Sequence, residues 1–125
     1  VAVIAMLARV SHEEALAVMF PNGACEYSTD QDQLNSALDH FEIHRVPQWK
    51  QFSTWEGIPT TSIVMVKSQD SQRVWLFHWV IFQRRAKGTW SVIDPIPPRA
   101  GTQRLTPTEL SRFTGVSYSA VEPRR

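Results

Sequence analysis

The feature that most constrains this chain is the run 73–85, whose interior reads Val74-Trp75-Leu76-Phe77-His78-Trp79-Val80-Ile81-Phe82. Side chains alternate between the two faces of a strand. Large apolar residues occupy both parities here, so a strand over 73–85 needs cover on both faces, as in the middle of a sheet. Turn residues bracket it: Gln69-Asp70-Ser71-Gln72 before and Ala86-Lys87-Gly88 after. The flanking segments 61–67 and 89–94 then read as neighbouring strands. Pro95, Pro97 and Pro98 stop the sheet, because proline cannot donate to a ladder. Residues 116–121 read as a closing strand, and 42–46 as a short one.

The first third of the chain is helical in pattern. Residues 1–9 are apolar almost all round, which predicts a helix central in a core. Ser11-His12-Glu13-Glu14 is a capping box, and it predicts a helix over 12–19 with Ala15, Leu16, Val18 and Met19 on its apolar side. Pro21-Asn22-Gly23 ends it. Leu34, Ala37, Leu38 and Phe41 at helical spacing predict a third helix over about 30–41, capped by Thr29 or Ser28. Residues 47–59 read as a structured connection. Thr106-Pro107-Thr108-Glu109 opens a last helix, with proline at its first position, ending near Gly115. Helices first and consecutive strands after predict one α+β domain over 1–125, with N-terminal helices packed on an antiparallel sheet.

Composition excludes several functions. Thirteen Lys and Arg against twelve Asp and Glu leave a formal charge of +1, so no overall basic field exists to hold a nucleic acid. No apolar run approaches the roughly 20 residues needed to span a bilayer. One cysteine, Cys25, cannot form an internal disulfide, which leans toward the cytoplasm without fixing a compartment. The five glycines are scattered rather than gathered in a phosphate-binding loop. No His-x-x-x-His or Cys-x-x-Cys spacing suggests a metal site. Neither a cofactor nor a metal is expected.

Chemistry concentrates on His78. His12 sits in the first turn of a capped helix, where a solvated side chain is expected. His40 and His44 flank the end of the third helix, where a cation suits the dipole. His78 instead lies within the most apolar strand and needs a partner or loses its solvation uncompensated. If Ala86-Lys87-Gly88 is a three-residue loop with Gly88 left-handed, Arg85 pairs with Thr89. Val80 then stands opposite Asp94, and His78 opposite Ile96. His78 and Asp94 share a face, one diagonal step apart, at about 7–8 Å between backbones. A one-residue change in the loop would put them on opposite faces. An aspartate accepting from one imidazole nitrogen fixes the tautomer and leaves the other as a base. The structural alternatives are a core histidine bonded to a backbone carbonyl, and an Asp94 making a local turn before Pro95. The tryptophans Trp49, Trp55, Trp75, Trp79 and Trp90 read chiefly as core.

The strand ending in His78-Trp79-Val80, a turn, then Val92-Ile93-Asp94-Pro95 resembles the papain-like cysteine peptidases of the bacteriocin-processing, double-glycine-leader type. The opening, Val1 to Val10 and then Ser11-His12-Glu13-Glu14-Ala15-Leu16, looks like the central helix of that family and the short helix after it. Residues 29–41 resemble the helix after its substrate-side loop. The resemblance implies a papain-like fold and hydrolysis of peptide bonds, with His78 as base and Asp94 as its orienting partner. Partners are then peptide or protein substrates. It also implies a nucleophilic cysteine at the start of the first helix, a few residues before Val1, and an oxyanion-stabilising glutamine shortly before that. The expectation is that the chain lacks this extreme N-terminal segment. The alternatives are a catalytically inactive relative that serves as a peptide-binding module, and Cys25 as a nucleophile from an unfamiliar position. Against the last stands Glu26, whose charge beside the thiol disfavours thiolate.

Overall fold

The computed structural model describes residues 1–21, 30–46, 48–68, 77–85, 88–94 and 104–123. Its elements in chain order are α1 (Ala2–Ala8), α2 (His12–Met19), α3 (Gln31–His40), β1 (Lys50–Gln51), β2 (Ser62–Ser68), β3 (Phe77–Arg84), β4 (Trp90–Ile93), α4 (Pro107–Leu110) and β5 (Phe113–Ala120). The domain is α+β, with helices set on an antiparallel sheet of order β1-β5-β2-β3-β4.

The helices form where their termini can be satisfied. Ser11 Oγ accepts from the Glu14 amide at 3.0 Å and starts α2. The cap of α3 is Asp30, not Thr29 or Ser28, which lie outside the described residues. Asp30 Oδ1 accepts from the Gln33 amide at 2.8 Å, and Gln33 Oε1 accepts from the Asp30 amide at 3.0 Å. The two bonds together close a capping box at Asp30. Thr106 and Glu109 repeat the arrangement at the start of α4.

The helix expected to reach Gly115 stops after one turn, at Leu110. Phe113 to Ala120 is drawn into the sheet instead, between β1 and β2. The register of β5 on β2 shifts between Met65 and Val66, so that Met65 faces Ser117, Val66 faces Gly115, and Val116 is the extra residue. The Val116 carbonyl accepts from the Phe52 amide at 3.0 Å. The Phe52 ring lies so close over Gly115 that a Cβ there would come within 2.4 Å of it. Gly115 is therefore required by packing. The pair Lys50–Gln51, β1, adds a fifth strand within what the sequence shows only as a connection.

The sheet separates two apolar cores. On one face Ile63, Ile81 and Trp79 pack with Val3, Ile4, Leu7, Leu34 and Leu38 of the helices. On the other Val64, Val66, Val80, Phe82 and Val92 pack with Ile58, and Trp55, Trp90, Leu110 and Phe113 lie against them. Each fully buried aliphatic or phenyl side chain contributes roughly 1.5–3 kcal/mol. β3 supplies both cores through its alternation, which is why its sequence is apolar at both parities. Arg84, at its far end, donates from Nε to the Ile58 carbonyl at 3.0 Å and from Nη2 to the carbonyls of Ile58 and Glu56 at 2.7 and 2.8 Å. It thereby holds the segment that carries Trp55 and Ile58 over the second core.

Candidate functional site

The hairpin of β3 and β4 places the site. Gly88 has φ 77°, in the left-handed region open to glycine. The Arg85 amide donates to the Thr89 carbonyl at 2.7 Å. The ladder that follows pairs Arg84 with Trp90, Gln83 with Ser91, Phe82 with Val92 and Ile81 with Ile93. One step further sets Val80 opposite Asp94 and puts His78 on the same face, diagonal to that carboxylate.

The two side chains meet. His78 Nε2 lies 2.8 Å from Asp94 Oδ1. A carboxylate can only accept, so the ring nitrogen donates in this bond. Both side chains are mostly covered, at 15% and 12% exposed. In such surroundings a charge-assisted hydrogen bond is stronger than in water. An imidazole oriented by a carboxylate is the kind of group that general acid–base chemistry uses.

The face on which this pair lies is the one turned away from α1, α2 and α3. Strand alternation places His78 with Val80 and Phe82, and its ring centroid is 6.2 Å from that of Phe113. Trp79 and Ile81 point to the helical side, where Trp79 packs on Trp49 with 5.4 Å between ring centroids. The body of α1 lies across the sheet from the pair, because the helices pack on the face of Ile63 and Ile81.

The remaining candidates separate. His12, His40 and His44 are exposed, and His40 makes an edge contact with Phe41, 5.0 Å between centroids. Cys25, Trp75 and the expected turn around Pro95 lie outside the described residues. Among the described residues no group of three or more His, Cys, Asp or Glu is placed to hold a metal ion. No described helix is long and apolar enough to cross a membrane. Sequence reasoning missed Phe113, which it placed in a helix; no local pattern shows that this residue starts a strand facing the imidazole.

Comparison with known proteins adds no relative: no family model matches the chain, and no curated protein and no solved structure matches it.

Proposed function

We propose that this domain belongs to a cysteine-peptidase-like hydrolase of papain-like arrangement that acts on peptide bonds. The observation that carries the reading is the bond of 2.8 Å between His78 Nε2 and Asp94 Oδ1 on a shared sheet face. His78 is the base and then the acid of acyl transfer. Asp94 holds its tautomer and stabilises the imidazolium that forms. The thiolate comes from the segment that the resemblance places before α1. It attacks the substrate carbonyl, the amine leaves with the proton carried by His78, and water then releases the acyl group. The substrate is a peptide or protein.

A second reading has its own support. The body of α1 lies across the sheet from His78, which favours a domain that keeps the pair without the thiol and binds a peptide without cutting it. One experiment separates the two. The full-length gene product, wild type and His78→Ala, is treated with a peptidyl vinyl sulfone, and the labelled residue is located by mass spectrometry. The hydrolase reading expects a labelled cysteine preceding Val1 and loss of labelling in His78→Ala. Absence of labelling, or equal labelling of both proteins, leaves the binding module.

A further inference from the structure

We propose that the cleft between α2 and α3 is a docking site for a basic peptide segment of a partner protein, with its cationic groups on Asp30 and Asp32 and its aliphatic stems on Val18, Met19 and Ala37. The inference makes no use of His78 or Asp94 and is independent of the hydrolase reading.

Charge is divided along the chain. Residues 1–44, which include α1, α2 and α3, hold seven Asp and Glu against one Arg. Residues 45–125, which include every strand, hold five against twelve Lys and Arg. The formal charge of +1 is thus the balance of an acidic helical part and a basic sheet part. Between α2 and α3 the acidic part opens into a cleft of about 460 Å³, within the size range of ligand sites. Its floor is apolar: Ala37 is buried, and Val18 and Met19 lie half-buried against the first core. Its wall is one stripe of α3, with Asp32, Ser36 and His40 four residues apart and all exposed. Asp30 closes the end of the stripe. No described Lys or Arg pairs with Asp30 or Asp32.

The needs of α3 account for only part of this. Asp30 Oδ1 serves the cap, and Asp32 suits the positive end of the helix. Neither role calls for an open cleft with an aliphatic floor beside the carboxylates. That combination fits Lys or Arg, whose stems cover apolar surface while the charged head reaches an acid. Ser36 and His40 offer hydrogen-bonding groups to the backbone of the same segment. At 1.5 Å per residue the stripe from Asp32 to His40 is about 12 Å long, the reach of about four residues of extended chain.

The experiment is a titration of the 15N-labelled chain, followed by 1H–15N spectra. The probes are the acetylated, amidated peptide Arg-Leu-Arg-Leu and its counterpart Glu-Leu-Glu-Leu. The basic peptide should shift the amides of 18–19 and 30–40 saturably, and the acidic one should not. Asp30→Asn combined with Asp32→Asn removes both charges and keeps the cap, since asparagine caps as well as aspartate. The dissociation constant should then rise about 5–10-fold. Ser36→Lys, at an exposed position in mid-stripe, sets a cation of the chain's own in the cleft and should weaken binding at least as much. Unchanged sheet amides show that the variants are folded. Wild-type affinity in these variants, shifts scattered over the sheet, or an equal response to the acidic peptide overturns the proposal. It is also overturned if sedimentation shows the chain alone associating through these amides, since the occupant is then a second copy.

Discussion

Arg85 and Thr89 face each other across the β3–β4 loop, amide to carbonyl at 2.7 Å, and this pairing decides that His78 and Asp94 lie on one side of the sheet. A ladder of period two has no tolerance for a slip of one. The loop is thus as much a part of the site as the pair it aligns.

Gly88 carries that loop geometry. With φ 77° and no atom within 4 Å of the place a side-chain methyl would take, alanine there meets backbone strain and no clash. Gly88→Ala should lower stability by about 1–2 kcal/mol, and Gly88→Asn by less, since asparagine visits the left-handed region more readily. Urea denaturation of the two variants checks the order.

Removal of either member of the pair should separate activity from folding. In the full-length protein His78→Ala and Asp94→Ala should each reduce peptide hydrolysis by about 10²–10⁴-fold, the range of general acid–base catalysis. Each should cost only about 1–3 kcal/mol of stability, for the partner left unsatisfied. Turnover of a peptide substrate and thermal unfolding on the same samples test both halves. Full hydrolysis by His78→Ala would sink the mechanism.

The hairpin was the most legible part of the chain, because the identity of Gly88 and the length of Ala86-Lys87-Gly88 encode turn and register locally. The helix over 12–19 was equally legible, since Ser11 and Glu14 announce its start. What could not be read depends on distant partners. Nothing near residue 113 shows that β2 will capture it, so α4 ends at Leu110, well before the expected stop at Gly115. Lys50 and Gln51 form a strand only because β5 offers its edge. The face chosen by the helices is likewise a tertiary decision: β3 is apolar at both parities, and its pattern favours neither.

Gly115 and Phe52 should behave as a coupled pair. Gly115→Ala drives a methyl to within 2.4 Å of the Phe52 ring and should cost about 1–3 kcal/mol, as overpacking does. In a Phe52→Ala background the same substitution should cost clearly less. A double-mutant cycle by chemical denaturation reads this as a coupling energy; strict additivity would show that the ring is not what excludes the side chain.

Arg84 offers a test of the second core. Its guanidinium serves the carbonyls of Glu56 and Ile58, and Arg84→Met keeps the stem but leaves those acceptors without it. A loss of about 1–3 kcal/mol is expected. Trp55 stacks on Trp90 with 6.1 Å between centroids, so tryptophan fluorescence should shift to the red as the segment loosens.

Both rims of the sheet are blunt. At one, β1 offers only Lys50 and Gln51, both exposed, with a cation in place of an apolar grip. At the other, the chain folds back on β4: the Leu105 amide donates to the Val92 carbonyl at 2.8 Å, and Arg104 bridges Ile93. Among the described residues an incoming ribbon finds little unclaimed backbone at either margin. The greasiest strand, β3, meets no newcomer at all, since β2 and β4 occupy both of its sides.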